Sequence, residues 1–160
     1  MKRTYEVSLS AHGIEQLKNG LKEYEKWLGE KCGVLCERLA ELGVKKATAY
    51  FKVPYDGAND LDVTWESRGG NEVAVVATGS VVLFLEFGAG ALMGYGHPDP
   101  MGFGPGTYNP DSNKWQSPSG WIYQHDKPRS YGNPPSAAMY NAHKEVEMEI
   151  ASVAREVFDL

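Results

Sequence analysis

Several protein classes are excluded by what this 160-residue sequence lacks. It has only two cysteines, Cys32 and Cys36. Their four-residue spacing inside a helical pattern puts both on one helix face. A disulfide there would be strained, and two thiolates alone do not close a zinc site. Reduced, half-buried helix residues in a cytoplasmic protein are the expectation. No apolar run approaches the roughly 18–20 residues that span a bilayer, and no basic-then-apolar leader opens the chain. The expected product is soluble, made in the cytosol, with no membrane partner. Positive charge is in deficit: 16 Lys and Arg against 21 Asp and Glu leave a net charge of −5. Tight grip on nucleic acid depends on neutralising phosphates, which this balance disfavours. DNA passing through the lumen of a ring without sticking is still compatible with it.

Catalytic motifs are absent as well. Ser117 and Ser119 sit in no strand-to-helix elbow, and no histidine and acid are placed beside them by sequence. The GFGPG run (Gly102 to Gly106) lacks the lysine and hydroxyl residue of a phosphate loop, and Pro105 removes a donor such a cradle needs. His97, Asp99, His125 and Asp126 are chemically suitable metal ligands, but neither pair has helix-anchored spacing. Isolated polar loop residues of this kind are ordinarily solvated. The expectation is a protein with no enzymatic activity, no cofactor and no metal.

What is present is one domain, 1–160, with enough apolar residues (42%) to bury a core without staples. Eight of the 18 glycines and six of the nine prolines fall between Gly88 and Tyr131. That concentration marks residues 88–133 as a long loop or arm. The fold class expected is α+β: a small antiparallel sheet flanked by a long N-terminal helix and a C-terminal helix.

The start, TYEVSLS, alternates like a short strand, and Ser10 can cap a helix. Ile14, Leu17, Leu21, Tyr24, Leu28, Leu35, Leu39 and Leu42 recur at steps of three, four or seven, forming one helical stripe. A break or kink near Gly20 is expected, and Gly43 offers a C-terminal stop. A helix over residues 11–43 would be about 50 Å long, more than such a domain needs, so part of it is expected to pack on another copy of the chain. Ala49 to Val53 read as strand-like. Residues 61–67 and 72–79 alternate as two strands about an Arg68-Gly69-Gly70-Asn71 hairpin turn. The run VVLFLEF (81–87) fits a third strand or a short buried helix, and Gly79-Ser80 as a start and Gly88 as a stop favour the helix. The last helix begins after Pro134-Pro135, capped by Ser136 or Asn133, and carries its stripe on Met139, Ala142, Val146, Ile150, Val153 and Val157.

Glu86 is the one acid in an apolar run. Its preferred role is a structural anchor beside Gly88 and Gly90, because a buried charge must be paired. Trp115, Trp121, Tyr123 and the loop tyrosines supply more aromatic surface than a monomer comfortably exposes.

In combination, Ala77-Thr78-Gly79, then Phe84-Leu85-Glu86-Phe87-Gly88 with Gly90, then Gly120-Trp121 with Tyr123, then Pro135 with Met139, Tyr140 and Ala142 form an ordered set. This set resembles the head–tail joining proteins of tailed bacteriophages and prophages, also called tail-completion or minor capsid proteins. The resemblance implies a structural virion subunit that assembles as a ring, commonly sixfold, between the head connector or adaptor and the tail tube or tail terminator. It implies location in the virion neck, after assembly in the bacterial cytoplasm, with no reaction and no cofactor. Two readings from other classes stand beside it. One is a metal-dependent or carbohydrate-acting hydrolase using the His97, Asp99, His125 and Asp126 region; the other is a monomeric sugar-binding module built on the aromatic loop.

Overall fold

A computed structural model describes residues 6, 8–51, 60–90, 92–99, 117–120, 122 and 128–159. The elements are α1 (Ala11–Phe51), β1 (Asp62–Gly69), β2 (Glu72–Thr78), α2 (Val82–Phe87) and α3 (Ala138–Phe158). This is a small α+β arrangement with a long first helix, a two-stranded antiparallel sheet and a closing helix.

Helix α1 begins where Ser10 caps it, the hydroxyl accepting the Gly13 N–H at 3.1 Å. It then runs unbroken for 41 residues, about 60 Å at 1.5 Å per residue. The expected break near Gly20, stop at Gly43 and strand over residues 49–51 are corrected by this span; residues 52 and 53 lie outside the described residues. A glycine costs a helix only about 1 kcal/mol relative to alanine. Beyond Gly43, the side chains of Ala47 and Phe51 are buried at helical spacing in the main core. Burying one large apolar side chain contributes about 1.5–3 kcal/mol, enough to carry the helix through. Gly43 itself is a contact point: a Cβ there would lie 2.9 Å from Val75 Cγ2. Of the proposed N-terminal strand, Glu6 and Ser8 to Ser10 are not in a strand; Tyr5 and Val7 lie outside the described residues.

The hairpin follows the expected turn. Gly69 and Gly70 take positive φ (96° and 59°) where the chain reverses, which side chains with a Cβ resist. The register sets Val63 opposite Ala77 and Trp65 opposite Val75, with a bulge between Ser67 and Gly69. Val63, Val75 and Ala77 join Ala47, Phe51, Val82, Leu85, Ala138 and Ala142 in the core. Residues 82–87 are the short helix that the sequence favoured over a third strand.

Helix α3 lies antiparallel on α1. Near its start the Glu145 carboxylate takes both the Lys46 ammonium and the Tyr50 hydroxyl. Near its end Lys31 Nζ donates to the Val157 carbonyl at 2.7 Å, and Trp27 meets the Phe158 ring edge-on at 6.0 Å. The bond to Lys46, then that to Tyr50, holds the Glu145 carboxyl below its ordinary range, and Glu145 raises both partners. Residues of α1 before Trp27 run on past the end of α3, about 24 Å of helix. No helix among the described residues is long and apolar enough to cross a membrane.

Candidate functional site

The site is built where two helix ends meet. Helix α2 ends with unpaired carbonyls and α3 begins with unpaired N–H groups, as every helix does. Here each satisfies the other. The Leu85 carbonyl accepts the Ser136 N–H at 2.7 Å and its hydroxyl at 2.9 Å, the Glu86 carbonyl accepts the Ala137 N–H at 3.1 Å, and the Phe84 carbonyl accepts Asn133 Nδ2 at 2.8 Å. In return the Glu86 side chain reaches the start of α3. Its Oε2 accepts the Met139 N–H at 2.9 Å and its Oε1 the Tyr140 N–H at 3.2 Å. A carboxylate at a helix N-terminus also meets the positive end of the helix dipole. Neither Ser136 nor Asn133 caps α3, as the sequence suggested; Ala137 precedes it in a left-handed conformation with no side-chain cap. The cap comes from 53 positions away.

His97 completes the arrangement. It is 8% exposed, against 5% for Glu86. Its Nε2 lies 3.1 Å from Glu86 Oε1, and its Nδ1 accepts the Asp99 N–H at 3.0 Å. The backbone donor fixes the tautomer: Nδ1 carries no proton, so Nε2–H donates to the carboxylate. The ring lies 4.6 Å from the Phe87 ring and 5.9 Å from that of Tyr140, centroid to centroid. The expectation that His97 is a solvated loop residue is therefore corrected. Apolar walls from Phe87 and Tyr140, together with two hydrogen bonds, make burial of an imidazole favourable.

Both ring nitrogens of His97 are engaged inside the fold, leaving no lone pair for a substrate proton or a metal. Among the described residues no group of three His, Cys, Asp or Glu converges as a metal site. His125 and Asp126 lie outside the described residues.

The glycines admit the backbone. Gly88 is buried with φ of 76°, and a Cβ on it would lie 2.8 Å from Pro135 Cδ. Ala89 and Asn133 exchange both backbone hydrogen bonds, at 2.9 and 3.0 Å. The two ends of the 88–133 segment are thereby pinned side by side. Gly90 is buried one residue further on, its carbonyl accepting the Gly94 N–H at 2.9 Å.

Comparisons with protein-family models, curated proteins and solved structures give no match.

Of the residues singled out by sequence, Glu86, Phe87, Gly88, Gly90, Met139 and Tyr140 come together at this one junction. Trp115, Trp121 and Tyr123 lie outside the described residues. Sequence reasoning missed His97 as the partner of Glu86. The available signal was a histidine followed by proline and aspartate, eleven positions after a lone acid in an apolar run. His143 sits on the exposed face of α3, 3.3 Å from Glu147.

Proposed function

We propose that this protein is a structural subunit of a tailed-phage virion, joining the head connector to the tail, with no catalytic role. The observation that carries the reading is the junction at Glu86 and His97. Among the described residues these are the two buried polar or charged side chains, and their polar atoms hold helix ends and loop base together. A buried acid–base pair used in this way is a clamp. It fixes the base of the segment between Gly88 and Asn133, as a docking arm requires. The glycine, proline and aromatic content of that segment suits an interface more than a solvated linker.

In this reading the subunit is made in the host cytoplasm and ends in the neck of the virion. There it packs against other copies of itself in a ring and against connector and tail proteins, DNA passing through the lumen. The net charge of −5 is compatible with a lumen that lets DNA slide past without sticking. The test is deletion of residues 100–116, which spares His97 and Asp99 and so the junction, from the gene in a producing phage or prophage. Heads without tails, with the truncated protein still folded by circular dichroism, are the expected outcome. Normally tailed particles would show that the segment is not the joint.

A further inference from the structure

Two apolar features of α1 lie end to end. The first is a stripe that starts on the overhang and ends beside the end of α3, where Ile14 is 58%, Leu21 50% and Leu28 39% exposed. The second is an open groove of about 320 Å³ whose floor is α1 and whose walls are β2 and α3, lined among others by Leu39, Gly43, Val73, Val75, Ala142 and Val146. Leu28 leads by seven to Leu35, then by four to Leu39 and again to Gly43, so stripe and groove floor share one face.

An unbroken helix cannot fold its first half onto its second. The stripe of one chain therefore cannot fill the groove of the same chain, although each has the apolar character the other needs. Two copies laid antiparallel about Leu28 engage both at once, since each stripe then faces the other copy's groove. Such a contact is self-complementary, the commonest kind between identical chains.

Charge agrees with this register. Lys18 and Lys22 follow Leu17 and Leu21 by one position, on the flank that further along carries Cys36. Cys36 is the residue that meets the hairpin tip, its Sγ 3.0 Å from the Asn71 carbonyl. In an antiparallel pair like flanks face one another, which brings both lysines toward the partner's hairpin, where Glu72 is exposed. We infer that a second copy of this chain lies antiparallel along α1, the Ile14 end of its stripe seated in the groove between β2 and α3 and its Leu28 against Leu28. Such a contact closes at two copies, so it goes beyond the ring contacts of the reading above and does not rest on the virion location.

The test is sedimentation of the full chain over a wide concentration range. Wild type should pass from monomer to dimer. Ile14→Glu with Leu21→Glu, and separately Val73→Arg, should each weaken dimerisation by about tenfold or more, with circular dichroism unchanged. Lys18→Glu with Lys22→Glu should weaken it too, and Glu72→Lys should restore it. In a Cys32→Ser, Cys36→Ser background, Leu28→Cys should cross-link to its own counterpart and Lys26→Cys should not. A chain that stays monomeric throughout, or a dimer indifferent to the stripe substitutions, would overturn the proposal. The location of the protein in a virion would be untouched by either result.

Discussion

Glu86 and His97 share a hydrogen bond of 3.1 Å between Oε1 and Nε2, and the same carboxylate caps α3 through the Met139 and Tyr140 N–H groups. One side chain thus connects three parts of the chain: the end of α2, the loop after it, and the helix that closes the fold. Hydrogen bonds to a charged acceptor contribute about 1.5–3 kcal/mol, and leaving buried donors without a partner costs a similar amount.

Glu86→Gln removes the charge and turns one acceptor into a donor facing N–H groups. We expect it to lower stability by about 2–3 kcal/mol in urea unfolding. A loss within a few tenths of a kcal/mol would mean that the clamp is energetically idle.

The tautomer of His97 is fixed by its neighbours. Nitrogen NMR of the neutral ring should find Nε2 protonated and Nδ1 bare. The opposite tautomer would break the bond from the Asp99 N–H and remove the basis for assigning His97 to the clamp.

Two glycines of α1 should respond oppositely to alanine. Gly29 has open space where a Cβ would go, so Gly29→Ala should raise stability by up to about 1 kcal/mol through helix propensity. At Gly43 the Cβ would lie 2.9 Å from Val75 Cγ2, within a packed junction of helix and strand. Gly43→Ala should lower stability by about 1–3 kcal/mol despite the same propensity gain. Thermal melts of the pair decide it.

Acid should act through Glu145. Its carboxyl is held below the ordinary 4.5 by the bond to Lys46 and then by that to Tyr50. A depressed carboxylate contributes stability that is present above the unfolded value and lost as pH falls through the folded one. The partners shift upward, Lys46 from 10.5 and Tyr50 from 10.0, so their share is present below those values and fades as pH rises through the folded ones. Glu145→Gln should therefore cost a constant amount between about pH 6 and 9, with the gap from wild type closing below about 4.5 and above about 10. A gap that widened in acid would contradict the assignment.

The parts of the fold that the sequence revealed are those set by local rules. The hairpin was legible because Gly69 and Gly70 supply the positive φ its turn needs, between two alternating runs. Helix α3 was legible through its three- and four-residue spacing, and Ser10 as a cap through its position before the spacing of α1 begins. What misled were signals that tertiary packing overrides. Gly43 reads as a stop only if the burial of Ala47 and Phe51 beyond it is unknown. The site was half legible. Glu86 stood out as an acid that needed a partner, yet the partners are His97 and the backbone of residues 139 and 140. Contacts of that separation in sequence leave no periodic trace, and backbone N–H groups carry no sequence signature at all.

The central proposal is that this chain builds a joint and transforms nothing. Electron cryomicroscopy of mature particles from the phage or prophage encoding it tests this most directly. Density between connector and tail that accepts the 41-residue α1 helix, the hairpin and the antiparallel α3 is the predicted result. A fully resolved neck with every subunit assigned to other chains would contradict it.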